Sequence, residues 1–181
     1  MDRAKVMPLL KGVLVLAVIA LCSGLLLGAF NILTYVDPLQ ATYEQFAADT
    51  GATFSAMQDE EGQTFGSGSV VYYAVSDDGQ HHAYLASGGG GYGGNVQMYV
   101  YIEDSAIEKI VIGENGETFL DRLEEANFYD NFIGQNVAEL DVMGVDVVSG
   151  ATRSSTAVKN GVNAVVQYYN TNVAAGGENN G

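Results

Sequence analysis

The chain has 181 residues, with 22 acidic against 7 basic side chains, a formal net charge of −15 and a single cysteine. So acidic a protein excludes nucleic acid as a partner, because phosphates repel it. The lone Cys22 excludes an intrachain disulfide, a cysteine-ligated iron–sulfur cluster and a C-x-x-C-H haem site, so any redox chemistry here uses an organic cofactor.

From Gly12 to Val36 no residue is charged. A bilayer needs about 20 predominantly apolar residues, which this stretch provides, so it is expected to anchor the protein in a membrane. A cleaved signal peptide is the alternative, since Arg3, Lys5 and Lys11 suit its basic leader, but the apolar run exceeds the roughly 7–15 residues of a signal core. A lipoprotein reading of Cys22 meets Leu21 where a small residue is required. All acids but Asp2 follow the apolar stretch, and the first base after Lys11 is Lys109. The positive-inside bias therefore predicts a single pass, with residues 1–11 cytoplasmic, 12–36 in a cell membrane (inner or plasma) and the remainder extracytoplasmic. The acidic surface itself reads first as a solvated face.

Asp37-Pro38 is a helix start, with an N-cap followed by proline at the first helical position, and predicts a stalk helix to about Ala48. Residues 49–68 are polar and glycine-rich, a connector, so 37–68 reads as stalk plus connector. Val70 to Val75 and His82 to Ser87 read as strands flanking the hairpin signal Asp77-Asp78-Gly79-Gln80. Asn95 to Ile102 alternates Val96, Met98, Val100 and Ile102 with other side chains, and Ala106 to Ile112 pairs with it across a short turn. Adjacent in a strand, His81 and His82 point to opposite faces and make a poor metal pair.

Between the hairpins lies Gly88-Gly89-Gly90-Gly91-Tyr92-Gly93-Gly94. It contains G-x-G-x-x-G, but a strand follows instead of a helix, which excludes a dinucleotide fingerprint. A loop with bare backbone admits a flat ring, and Tyr92 is available to stack on it; simple structural looseness is the other reading. Glu117 to Asn127 reads as an amphipathic helix, and Phe128, Tyr129, Phe132 and Ile133 as a core wall. Asp141 to Val148 suits a last short strand or extended segment. A helix over about Ser154 to Tyr169 follows from the spacing of Ala157/Val158, Gly161/Val162, Val165/Val166 and Tyr168/Tyr169. Residues 173–181 read as a disordered tail, leaving 69–172 as one domain. Strands followed by helices predict an α+β fold: a single N-terminal transmembrane helix, then a small antiparallel-sheet domain with packed helices.

Asp146-Val147-Val148-Ser149-Gly150-Ala151-Thr152 reads D-x-x-S-G-A-T and runs into that last helix. Ser154 and Ser155 are N-cap candidates, which places Thr152 just before the first turn. A phosphodiester there meets unpaired backbone N–H groups and the positive end of the helix dipole, with Arg153 as a further cation. Gly150 and Ala151 let the backbone approach a bound group closely. An ordinary turn and helix cap is the bland alternative. Thr50-Gly51-Ala52-Thr53 also reads T-G-A-T, but Ala47 stands where the aspartate belongs and no strong helix pattern follows.

Taken together, the anchor, the Gly91-Tyr92-Gly93-Gly94 loop before a strand pair, the Gly113 to Gly134 middle segment and D-x-x-S-G-A-T resemble a known family. The chain is similar over nearly its whole length to the small FMN-binding subunit of the Rnf electron-transport complex, a ferredoxin:NAD oxidoreductase. More distantly it resembles the equivalent FMN-binding subunit of the sodium-translocating NADH:quinone reductase. The resemblance implies one covalent FMN, its phosphate joined to Thr152 by a flavin transferase that recognises Asp146, with Ser149, Gly150 and Ala151 of the same motif in the cofactor site. It implies flavin contacts from Tyr92, Gly93 and Gly94. The family's E-T-P-G-L-G segment matches only at Glu117 and Thr118, with Phe119-Leu120-Asp121-Arg122 in place of the rest. The missing proline and glycine allow a helix where the family has a turn.

The implied role is one-electron relay, with FMN supplying the chemistry and the protein its potential and orientation. In the family, electrons from ferredoxin reach NAD through membrane subunits, coupled to sodium or proton export. The chain would work with those other Rnf subunits and has no catalysis of its own. Competing readings are a quinone-reductase component, a free-standing flavin protein serving extracellular acceptors, and a flavin-free extracytoplasmic interaction domain.

Overall fold

The computed structural model describes residues 3–34, 38–55, 57–59 and 62–175. Asp37 of the expected helix start, the end of the apolar stretch at Tyr35-Val36, and residues 176–181 of the expected tail lie outside them. Two compact units divide at Ala41/Thr42. The first contains α1 (Arg3–Thr34), a helix of 32 residues and therefore about 48 Å long. It is long and apolar enough to cross a membrane. Its side chains from 11 to 34 are exposed, including Leu14, Leu16, Leu27 and Leu33.

In the second unit, one antiparallel sheet forms from β1 (Met57–Asp59), β2 (Gln63–Phe65), β3 (Gly68–Val75), β4 (His81–Gly88), β5 (Val96–Glu103) and β6 (Ala106–Ile112). The order is β1-β3-β4-β5-β6, with β2 also on β3. Period-2 alternation divides the sheet's residues between two cores. Val70, Tyr84, Ala86, Val96, Met98, Val100 and Ile102 face one side, where Val158, Val162 and Val165 of α4 (Thr152–Tyr168) cover them. Ala74, Ala83, Leu85 and Tyr101 face the other, where Phe46 of α2 (Pro38–Thr50) is fully buried. Each large apolar side chain buried in this way stabilises the fold by about 1.5–3 kcal/mol. The architecture is α+β, as its sequence pattern predicts.

Several elements depart from expectation for visible reasons. The C-terminal part of the stalk helix packs on the sheet: the Phe46 ring lies 6.0 Å from those of Tyr99 and Tyr101, both nearly edge-on. Asp49 accepts a 2.6 Å hydrogen bond from the Tyr101 hydroxyl, and the Lys109 ammonium lies 3.5 Å from its other carboxylate oxygen. Burial first, and then the Asp49 carboxylate, push the Tyr101 hydroxyl far above its ordinary pKa. The connector contains β1 and β2, short strands whose pairing is supplied by β3.

Helix α3 shrinks to Leu120–Glu125. Asn115 ties up its upstream side by accepting from the Glu117 N–H at 2.8 Å, and Asn127, at φ 50°, ends it in the left-handed region. In the aromatic wall Phe128 and Phe132 are buried while Ile133 is exposed. Residues 141–148 form no strand. Asp141 accepts from the Gly144 N–H at 3.0 Å to cap a 3-10 turn, Val142–Gly144. The buried Lys159 then donates to the carbonyls of Met143, at 2.8 Å, and Val145. With these carbonyls held by a side chain, no sheet partner is required.

Helix α4 starts at Thr152, with Ala151 as N-cap, and passes after Tyr168 into a π-helical turn, Tyr169–Ala174. Its seat on the sheet depends on missing side chains. A Cβ on Gly88 would collide with the Ala157 carbonyl, and one on Gly68 with that of Asn160. Asn160 also donates to the Gly89 carbonyl at 2.8 Å, fixing the start of the glycine loop against the helix.

Candidate functional site

The first turn of α4 is stitched to the loop before it. Gly150 takes φ 77°, a conformation favouring glycine, which turns the chain into the helix. The Ala151 N–H then donates to the Val148 carbonyl at 3.0 Å. Ser155, buried, accepts from the Val148 N–H and donates to the Ala151 carbonyl, both at 3.0 Å. Ser154 is buried as well. Both serines therefore lie inside the first turn, and the expected side-chain N-cap is replaced by Ala151. A helix leaves its first N–H groups without intrahelical acceptors, and among the described residues no acceptor engages those of Thr152, Arg153 and Ser154. Thr152 is exposed at this end, and among the described residues no hydrogen bond engages its hydroxyl.

An open-sided cavity of about 250 Å³ lies beside it, lined by Tyr92, Phe119, Gly150, Ala151, Thr152, Arg153 and Ser154. Tyr92 and Phe119 face each other edge-on with centroids 5.9 Å apart, and Tyr92 is 66% exposed. Arg122 reaches over the Phe119 ring at 5.2 Å and donates to the Gly150 carbonyl at 3.2 Å. It therefore ties the α3 segment to the turn that carries Thr152.

Glu117 joins the glycine loop to the helix start. Its Oε2 accepts from the Gly93 N–H at 2.8 Å and its Oε1 from the Ser154 hydroxyl at 2.5 Å. Partial desolvation raises its pKa. Hydrogen bonds from Ser154 and from the N–H groups of Gly93, Tyr92 and Thr118 outweigh that, holding the carboxyl below its ordinary value. Close packing fits the loop to this partner, since a Cβ on Gly93 would strike the Gly116 carbonyl.

The structure thus brings Tyr92, Gly150, Ala151, Thr152 and Arg153 together around one cavity. Glu117 braces that cavity from the side, through Gly93. Gly94, Thr118, Ser149 and Asp146 are exposed and outside the lining. Sequence reasoning missed Phe119 and Arg122. Their signal is the Phe119-Leu120-Asp121-Arg122 run, whose ends lie close enough for the cation to cover the ring.

Residues 91–167 match the family model described as the FMN-binding domain. The match supports an FMN-binding family and, with it, a flavin-dependent electron-carrier role. It includes both the Tyr92 loop and the start of α4. No curated protein and no solved structure matches the chain.

The residues present fit such a cofactor. Unpaired N–H groups at a helix start and the nearby guanidinium of Arg153 suit a phosphate, and the Tyr92 and Phe119 rings suit contact with a flat heterocycle. Ligand pockets usually measure about 300–1,000 Å³. At about 250 Å³ this cavity lies just below that range, and it is open on one side.

Proposed function

We propose that this protein is a membrane-anchored electron carrier whose FMN is held covalently, by a phosphoester to the Thr152 hydroxyl, one flavin per chain. The observation that carries this reading is the position of Thr152. The residue is exposed at the first turn of α4, in the lining of the cavity, beside N–H groups suited to a phosphate. FMN supplies one- and two-electron chemistry when bound. The protein contributes the tether, the aromatic contacts of Tyr92 and Phe119, and positive charge from Arg122 and Arg153. The motif residues Asp146 and Ser149 are exposed, as recognition by a transferase acting in trans requires.

In this reading the protein is one station of an Rnf-type ferredoxin:NAD oxidoreductase that exports sodium or protons, alongside the other membrane subunits of that complex. The apolar α1 and the bases that precede residue 12 favour an anchored chain with an extracytoplasmic flavin domain. A covalent tether suits that side of a membrane, where a dissociated cofactor is lost by dilution.

The test is in-gel flavin fluorescence after full denaturation, with wild type and Thr152→Ala each co-expressed with a flavin transferase. A fluorescent wild-type band absent from the mutant is the expected result. A dark wild-type band, with the transferase active on another acceptor, would sink the covalent carrier and favour a flavin-free interaction domain.

A further inference from the structure

At the end of the sheet remote from the glycine loop, three strands bring an imidazole and two carboxylates together. His81, at the start of β4, is the direct cross-strand partner of Glu103, at the end of β5. Glu108 joins them through a bulge. Tyr101 pairs with Lys109 and Ile102 with Ile107, so Glu108 is the extra residue on β6. A bulge re-aims side chains, and this one puts Glu108 beside His81 instead of continuing the alternation. One ligand atom from each of His81, Glu103 and Glu108 lies within 4.8 Å of the others. The His81 Nδ1 to Glu108 Oε2 distance is 3.2 Å, close to the ~3.3 Å separating two ligands on a tetrahedral zinc ion.

The charge balance points the same way. Two carboxylates this close repel each other. The nearest base in sequence, Lys109, is turned to Asp49: its ammonium donates to the Asp49 carbonyl at 3.1 Å and lies 3.5 Å from the carboxylate. Among the described residues no lysine or arginine pairs with Glu103 or Glu108. The His81 side chain is only 14% exposed and its backbone is fixed, its N–H donating to Ser76 Oγ at 2.9 Å. The arrangement is therefore set by the fold, with a deficit of positive charge that a divalent cation removes.

We propose that His81, Glu103 and Glu108 form a structural site for a divalent transition-metal ion of the zinc class, with water completing a tetrahedral shell. One imidazole and two carboxylates are a borderline ligand set that favours such ions over magnesium. The ion clamps β4, β5 and β6 about 24 Å along the sheet from the glycine loop, so it does not touch the flavin site.

The experiment uses the untagged full-length chain in detergent, stripped with chelator and dialysed against Zn²⁺ or Mg²⁺, with bound metal measured by mass spectrometry. The expected result is one equivalent of Zn²⁺ with a raised Tm, little Mg²⁺, and binding weakened about tenfold or more in His81→Ala and Glu108→Gln. Unchanged far-UV circular dichroism shows that each variant is folded. A wild-type chain that takes up no zinc overturns the proposal whatever the variants do, as does equal uptake by wild type and both variants.

Discussion

Ser154 donates its hydroxyl proton to Glu117 at 2.5 Å, and the same carboxylate accepts the Gly93 N–H at 2.8 Å. Three segments distant in sequence thereby meet on one side chain: the glycine loop, the approach to α3 and the first turn of α4. Glu117→Gln removes the charge from this bridge and turns one accepting oxygen into a donor. A charge-assisted hydrogen bond is worth about 1.5–3 kcal/mol. Amide exchange at Gly93 is therefore expected to accelerate roughly 10–160-fold, with the strands unaffected. Equal protection of Gly93 in both proteins would remove Glu117 from this role.

The same carboxyl gives a signed pH dependence. Its folded pKa is lowered, so the fold favours the ionised form. Its contribution to stability is complete above the ordinary glutamate value of about 4.3 and is lost as pH falls through the folded value. The difference in Tm between wild type and Glu117→Gln is expected to be constant near neutrality and to shrink on acidification below about pH 4. A difference that widens on acidification contradicts the assigned direction.

Gly88→Ala is expected to lift α4 from the sheet, because the new methyl group meets the Ala157 carbonyl. Overpacking of this kind costs about 1–3 kcal/mol or more, since the groups it meets, the Ala157 carbonyl and the Gly161 nitrogen, are both backbone. Gly116→Ala is the control: its Cβ would meet only the Gly93 carbonyl, at 3.6 Å. Urea unfolding midpoints should fall in the first variant and stay near wild type in the second. Equal midpoints would mean that the helix has room to move.

Lys159→Met keeps most of the buried stem and removes the two hydrogen bonds to Met143 and Val145. A loss of about 1–2 kcal/mol is expected, with exchange accelerating in residues 142–148 before the rest of the domain. If exchange there is unchanged while global stability falls, Lys159 supports the helix and does not order the loop.

How much of this was legible in the sequence depends on where each element's partner lies. Strand β5 carries its own pattern, Val96, Met98, Val100 and Ile102 against Tyr99 and Tyr101, because both faces are covered and each must bury a set. Strand β2, Gln63-Thr64-Phe65, has no such pattern, since its pairing is supplied by β3. α4 was readable in its apolar periodicity, but its starting residue was not. Ser154 and Ser155 are good caps by type, yet their hydroxyls are engaged by Glu117, Val148 and Ala151. Phe119 and Arg122 were readable only as a departure from a familiar segment. Their meeting with Tyr92 and Gly150 is a tertiary fact that no local spacing encodes.

The Glu117–Ser154 contact also bears on the order of events in biogenesis. Its partners are 37 positions apart, so an unfolded chain carries the seven residues from Asp146 to Thr152 without the surroundings that folding gives them. An unfolded chain offers a modifying enzyme only a string of residues, whereas the folded chain offers Thr152 at a fixed height and angle on a helix end. An enzyme that requires the second form would modify only chains whose distant parts have already closed. The modification would then act as a receipt for correct folding.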